Sequence, residues 1–265
     1  MSRQIVLEEP HLRLCLAESE QDRLAVQRLR YEVFVAELGG DGDLVDHANR
    51  FERDAFDPHV DHLVLIDTRR AAAALDHVVA VYRLLPGQRA AAIGGFYCDA
   101  EYDLAPLIRS GRRLLELGRS CVHRDYRGGT AMFHLWNGLA EYVLARDIEV
   151  LFGVASFHGT DIDRLRLPLA YLHHHHLAPP ELRVRVREEY FQPMDLLPRD
   201  AVDPARARPQ LPSLIRGYLR LGGFVGEGAF VDRPFNTTDV CLVMDTALMS
   251  QRHRSYYTRR KGPAG

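Results

Sequence analysis

Lysine is almost absent from this chain. Lys261 is the only one in 265 residues, so chemistry that passes through a lysine Schiff base lacks its nucleophile. The four cysteines, Cys15, Cys98, Cys121 and Cys241, are scattered with no C-x-x-C spacing, a pattern of reduced thiols that offers neither a disulfide framework nor a zinc site. No apolar run approaches the roughly 18 residues of a spanning helix, and residues 1–4 lead into no signal-peptide core, so the cytoplasm is the expected address. Basic and acidic residues nearly cancel, 34 against 36, and the chain-wide positive field of a nucleic-acid binder is missing. No internal repeat or composition break marks a second domain. With 46% hydrophobic and 26% charged residues, one domain is expected over residues 1–250, followed by a flexible basic tail over 251–265.

What is present is arginine, and it is concentrated. Residues 112–131, RRLLELGRSCVHRDYRGGTA, read as an apolar strand carrying one acid and one arginine, then a turn crowded with Arg and Gly, then the start of a helix. From Arg109 to Arg127, six arginines (109, 112, 113, 119, 124 and 127) face Glu116 and Asp125, so six minus two leaves four extra positive charges. Such a patch suits a phosphate or an acidic partner. A solvated arginine-rich face reads the same at any single position.

In chain order, residues 11–17 alternate as a first strand. Ser19 to Asp22 resembles a capping box, and the helix it opens runs to Leu38, stopped by Gly39-Gly40. Arg30, Phe34 and Glu37 fall about one turn apart on one stripe of it. Residues 39–58 form a polar, acidic loop of a length usually kept for function. Strands are expected at 62–67 and 78–85 as an antiparallel pair, with a short third run at 94–98. LAPLI starts a helix, and residues 130–146 show a broad apolar face that includes Phe133 and a core Trp136. Residues 148–154 form a continuous apolar strand, and 156–159 turn it into a helix capped by Thr160 with Asp163. The run His173 to His176 points four ways on a helix, which favours structural or surface roles over a metal site. A helix at 214–221 and strands at 224–231 and 239–243 complete an α/β pattern, while 179–212 shows no clear period.

These residues resemble the L-ornithine Nα-acyltransferase family of the GNAT superfamily. The likeness spans nearly all of 12–245, most specifically in LELGRSCVHRDYRGG, ASFHGTD, YLHHHHLAPPELRVR, LPSLIRGYLRLGGFVGEGAFVD and FNTTDVCLV. The resemblance implies a mixed, largely antiparallel twisted sheet flanked by helices, with two splayed strands that hold a pantetheine arm. It further implies transfer of a 3-hydroxyacyl group from acyl carrier protein to the α-amine of L-ornithine, giving lyso-ornithine lipid, with no tightly bound cofactor or metal. The N-terminal half is also similar to acyl-homoserine lactone synthases in LRYEVF, ERDAFD, YRLLP and ELGR. That second likeness makes Arg30, Phe34, Asp54, Asp57, Arg83, Glu116 and Arg119 candidate site residues. The chain departs from the lactone synthases at Leu38-Gly39, where they usually carry tryptophan, and in its C-terminal third.

The residues also suggest a chemistry of their own. An amine attacking a thioester needs a neutral amine, a donor for the developing oxyanion, and a hold on the donor arm. Glu116 is the candidate proton acceptor, since a carboxylate on a half-buried strand can be raised toward neutrality; pairing with Arg119 or Arg83 is the structural alternative. Regular alternation puts Glu116 and Arg119 on opposite faces, and Gly118 is the expected site of a bulge that re-aims one of them. Asp54 and Asp57 are candidates for steering the cationic ornithine, and Arg30 or Arg119 for its carboxylate. Gly118, Cys121, Val122, Arg127, Gly128, Gly129 and Thr130 are candidates for the phosphopantetheine arm. Against the usual Q/R-x-x-G-x-G/A loop of coenzyme A users, this chain has Thr130 and Met132 where glycine-like residues belong, a relaxed loop that fits one phosphate better than a pyrophosphate. Ser156, His158 and Asp161 lie too close in sequence to be read as a hydrolase triad, so Ser156 is placed as a lining, substrate-binding residue of the second splayed strand. Tyr171 is a candidate for protonating the leaving thiolate. A lactone-forming or other N-acyl amino acid synthase, and a non-catalytic carrier-protein binding module, remain alternatives. Because the product is a lipid, peripheral membrane contact through 183–187 and 252–260 is also expected.

Overall fold

The computed structural model describes residues 9–42 and 44–248. The expected basic tail over 251–265, with the arginine-rich stretch 252–260, lies outside the described residues, as do residues 1–4. In chain order the elements are β1 (Leu12–Leu16), α1 (Glu20–Arg30), β2 (Asp61–Asp67), β3 (Val78–Pro86), α2 (Gly87–Ala92), β4 (Tyr102–Asp103), α3 (Ala105–Arg109), β5 (Leu114–Val122), α4 (Ala131–Ala145), β6 (Val150–His158), α5 (Ile162–His176), β7 (Arg185–Val186), α6 (Pro204–Ala207), α7 (Ser213–Arg220), β8 (Phe224–Val225), β9 (Phe230–Asp232) and β10 (Thr237–Asp245). The backbone groups into two units, residues 1–94 with 117–147 and residues 95–116 with 148–265, and β5 is divided between them.

In the first unit, β1, β2 and β3 form an antiparallel sheet, with Leu14 opposite Leu65 and Val64 opposite Val81, and β5 follows β3. Helices cover both faces, which is why β2 reads as an unbroken apolar run rather than an alternation. Val64 and Ile66 point to the α1 side, where they pack with Ala25, Val26, Leu29, Val33, Val78 and Cys121. Leu63 and Leu14 point to α4, so close to Gly138 that a methyl group there would lie 2.8 Å from Leu14 Cδ2. The buried side of α4 is Leu135, Leu139, Tyr142 and Val143. Phe133 is exposed and Trp136 only half-buried, which narrows the expected apolar face. Helix α1 begins where Ser19 accepts the Asp22 amide at 3.0 Å, and it continues from Tyr31 to Glu37 as a π-helix that Gly39 ends at φ +74.

In the second unit, Leu114–Glu116 of β5 run parallel to Val150–Phe152 of β6. β6 is antiparallel to β10, and β10 pairs in turn with β8 and β9. This mixed, mostly antiparallel sheet with flanking helices matches the fold class read from the sequence. Three local expectations are corrected. Residues 94–98 are not a strand: Gly94 and Gly95 sit at φ +94 and +147, and Tyr97–Ala100 forms a 3-10 turn whose first amides bind a carboxylate instead of a neighbouring strand. β6 continues through Ser156 to His158, and the cap of α5 is Asp161, which accepts the amides of Asp163 and Arg164, not Thr160. The strand expected over 224–231 breaks in two because Gly226 lies against Val184, where an added methyl would fall 2.9 Å from its carbonyl oxygen, and Gly228 takes φ +83. The histidine run closes α5: His174 Nε2 lies 2.8 Å from the Leu197 carbonyl and His176 Nε2 lies 3.0 Å from the Tyr171 hydroxyl.

Candidate active site

The first unit gathers most of the polar candidates into one buried network. Arg30 leaves the apolar face of α1 with no exposed surface, and its guanidinium binds Glu52 and, at 2.5 Å, Asp57. Arg83 on β3 binds Asp54, and Arg119 on β5 reaches Glu52 at 3.1 Å and Asp54 at 3.2 Å. Three guanidiniums thus meet three carboxylates, and the formal charges cancel. The loop that carries the acids is itself tied down. The Glu52 amide donates to the Gln27 carbonyl, Asp54 Oδ1 accepts the Phe56 amide, and Asp57 Oδ2 accepts the Asp54 amide. Side chains preset in this way lose little freedom on binding.

The electrostatics follow from burial opposed by pairing. Desolvation pushes the Asp54 carboxyl up, but the guanidiniums of Arg83, Arg119 and Arg30 outweigh it and hold it down at about 2. Glu52 is likewise raised by burial and brought below its usual range by Arg30 and Arg119. His62, opposite Arg83 in the β2–β3 register, is pushed down to about 3 by burial and then by Arg30 and Arg83, so it is neutral at physiological pH. Asp54 and Asp57 were expected to stand ready for a cationic substrate. Both are paired with guanidiniums, Asp57 with Arg30 and Asp54 with Arg83 and Arg119.

On β5 the local irregularity sits one residue beyond its expected place. Arg119 itself takes φ +49, a conformation that costs an ordinary residue on the order of 1 kcal/mol, and Gly118 is not in the left-handed region. Gly118 matters for space: a methyl group there would lie 3.4 Å from Nε and Nη2 of Arg83, so the bare backbone lets that guanidinium lie against the strand. Cys121 is part of the hydrophobic core and burial raises its thiol to about 12, so it packs rather than offering a nucleophile. Phe34 is half-buried against the same core.

Beyond Val122 the chain forms the turn that leads into α4. His123 donates its amide to Val79, residues Arg124–Tyr126 make one 3-10 turn, and Gly128 takes φ +76 before Thr130 opens the helix. The Thr130 hydroxyl donates to Glu9 rather than capping the helix. A helix start of this kind presents backbone amides and the positive end of the dipole. Arg127 folds back, donating Nε to the Val122 carbonyl at 3.0 Å and Nη2 to Glu37 at 2.7 Å. The expected excess of positive charge is therefore largely cancelled by tertiary pairing, with Arg112 on Asp245 and Arg113 beside Glu149 as further instances.

In the second unit, Glu116 is buried and accepts the amides of Tyr97 at 2.8 Å and Cys98 at 2.7 Å, one on each oxygen. Ser156 is exposed on β6 opposite Asp239. The Tyr171 hydroxyl accepts from Arg208 Nε at 2.8 Å and lies beside His176. Glu52 and His62 were missed as network members by the sequence reading. Glu52 lay in plain view inside ERDAFD, at the i−2 position to Asp54, whereas nothing in the sequence pairs His62 on β2 with that loop.

Residues 29–137 match the model of the acetyltransferase (GNAT) domain. The chain is 66% identical over 92% of its length to the L-ornithine N(alpha)-acyltransferase of Rhodobacter capsulatus, covering 94% of that protein. It is 38% identical over 93% of its length to the enzyme of the same name from Brucella abortus, covering 88% of it. A solved coenzyme A-dependent acyl-homoserine lactone synthase superposes with a TM-score of 0.49 at 14% identity, covering 93% of this chain and 84% of that one. With this identity sustained along almost the whole of both sequences, the chain belongs to the L-ornithine N(alpha)-acyltransferase family of GNAT-type enzymes.

Proposed function

We propose that this chain moves a 3-hydroxyacyl group from the phosphopantetheine arm of an acyl carrier protein to the α-amine of L-ornithine, giving lyso-ornithine lipid. Family membership makes it an N-acyltransferase; the donor, the lipid product and the residue roles are the proposal. In the reaction the amine nitrogen attacks the thioester carbonyl, a tetrahedral oxyanion forms, and collapse breaks the carbon–sulfur bond. One proton leaves the nitrogen and one reaches the departing thiolate. The observation that carries the donor assignment is the turn Arg127–Thr130. It offers the start of a fifteen-residue helix and two nearby guanidiniums, but carries Thr130 and Met132 where a pyrophosphate loop has glycine-like residues. One phosphate is all that such a turn needs to hold.

Within this reading, Gly118, Cys121, Val122 and the turn residues Arg127, Gly128, Gly129 and Thr130 line the arm. Arg30 and Arg119 serve the ornithine carboxylate. Arg30 Nη2 is buried without a hydrogen-bond partner, which supports that role. Arg83, Asp54 and Asp57 hold the arginines, and Phe34 backs them. Glu116 takes the amine proton through water. Ser156 supplies a hydroxyl to the bound substrate. Among the described residues no helix is long and apolar enough to cross a membrane, so contact with lipid would be peripheral, at the cytoplasmic face. Flotation with anionic vesicles tests that contact.

Mass spectrometry of lipids from a host expressing the chain tests the whole proposal. An amine-containing lyso-lipid is expected, whereas a diffusible lactone or no new product would overturn it. Comparing 3-hydroxyacyl carrier protein with 3-hydroxyacyl coenzyme A tests the donor. Preference for coenzyme A would refute the single-phosphate turn.

A further inference from the structure

Glu37 takes no part in the network just described, yet it joins the π-helix of the first unit to the turn before α4. Its Oε2 accepts from Arg127 Nη2 at 2.7 Å, and its Oε1 lies 3.2 Å from Nη2 and 3.3 Å from Nε of Arg124. Two like charges converge on one carboxylate. Left alone, two guanidiniums this close repel each other, and each hangs on a long side chain with many rotamers. Arg124 and Arg127 are otherwise well exposed, at 66% and 45%, while the Glu37 side chain is only 16% exposed, so the acid is the fixed member of the trio. Burial opposes its charge, but Arg127 and then Arg124 outweigh it and hold the carboxyl below its usual range.

We propose that Glu37 is a positioning residue for the acyl donor: its carboxylate holds Arg124 and Arg127 beside the amides of the turn so that their remaining N–H groups receive the donor's phosphate. The assignment rests on the reading above that this turn binds the phosphate of the pantetheine arm. Arg127 is fixed at two points, by Nε on the Val122 carbonyl and by Nη2 on Glu37, and its Nη1 retains two further donors. One negative charge against two positive ones leaves the trio at +1, matched to the single negative charge of the arm's phosphodiester. The carboxylate therefore orders the cations without extinguishing their charge.

Steady-state kinetics with a 3-hydroxyacyl carrier protein as donor tests the assignment. Glu37→Gln removes the charge and keeps the shape. It is expected to raise the donor KM by about tenfold, the factor that one charge-assisted hydrogen bond supports, with kcat changed less than about twofold. The KM for ornithine serves as an internal control and stays level. Glu37→Asp is expected to recover part of the loss. Arg127→Gln raises the donor KM in the same way, and adding Glu37→Gln to it costs less than Glu37→Gln costs alone, because part of the carboxylate's effect passes through that guanidinium and only the part through Arg124 remains. Trp136 fluorescence on heating sets a temperature at which every variant is folded. If Arg127→Gln raises the donor KM while Glu37→Gln leaves it level or lowers it, the positioning role is wrong and the phosphate turn stands. If Arg127→Gln itself leaves the donor KM unchanged, the phosphate turn fails and the role of Glu37 falls with it.

Discussion

Replacing Glu52 by Gln is the sharpest perturbation of the buried network. Glu52 is 1% exposed and serves two guanidiniums, Arg30 with no exposed surface and Arg119 at 3.1 Å. The substitution shifts the network from three charges of each sign to three positive and two negative, and it sets an amide N–H₂ against a guanidinium. Breaking one side of a buried ion pair costs about 3–5 kcal/mol, a large fraction of the roughly 5–15 kcal/mol that holds a domain together. In a chain of this size each kcal/mol moves the melting temperature by about 2–4 °C, so a drop of about 6–20 °C is expected. Trp136 is the one tryptophan of the chain and lies on α4 in the same unit, so its fluorescence reads the unit that carries the damage. Adding Arg119→Gln restores equal numbers of charges and is expected to recover part of the loss, even though one more ion pair is gone. Urea unfolding at pH 7.5 measures both variants without screening the charges. A shift below about 2 °C for Glu52→Gln, or a double variant that is weaker by the full sum of the two single changes, would refute a charge-matched network.

Other outcomes follow from the same geometry. His62 titrates at about 3 when folded against 6.5 ordinarily, so the unfolded chain binds more protons between those values; its contribution is complete above pH 6.5 and shrinks as the pH falls toward 3. His62→Asn should flatten that slope, worth about 2 kcal/mol between pH 6.5 and 5, in urea midpoints taken at both pH values, and an unchanged slope would exclude His62 as its source. Glu116→Gln replaces one amide acceptor by a donor facing a backbone N–H. We expect acyl transfer to fall at least about tenfold with a changed pH profile, whereas full activity and a normal profile would remove Glu116 from the mechanism. Gly138→Ala drives a methyl to within 2.8 Å of Leu14 and is expected to cost about 1–3 kcal/mol by the same fluorescence assay. Gly118→Ala meets Arg83 at 3.4 Å, an ordinary contact, and should cost under about 1 kcal/mol.

Much of the fold was written in local patterns. The alternation of LRLCL, the cap at Ser19, the stop at Gly39 and the strand-turn-helix over 112–131 each depend on neighbours within a few residues, and each forms where it was expected. The failures came where distant groups outbid local ones. Phe96 to Cys98 looks like a strand until Glu116 claims the amides of Tyr97 and Cys98. Trp136 reads as core by size and spacing, but Gly138 brings α4 so close to the sheet that smaller residues fill the interface. For the site, the resemblance to acyl-homoserine lactone synthases named Arg30, Asp54, Asp57, Arg83 and Arg119, and the structure unites them. What spacing does not encode is which acid answers which arginine. That is why Glu52 was missed as a network member, and why Glu37 passed as one more residue on a helical stripe.

The π-helix from Tyr31 to Glu37 has a consequence of its own. A π-turn is what one surplus residue makes of an α-helix, and every side chain beyond it is rotated relative to the regular path. Were the same residues wound at 3.6 per turn instead, Glu37 would swing on the order of 100° around the axis. Arg124 and Arg127 would lose their carboxylate although no charge had left the chain. The contact is set by the winding of one turn, and a change of winding that alters no chemistry would be enough to uncouple the helix from the turn.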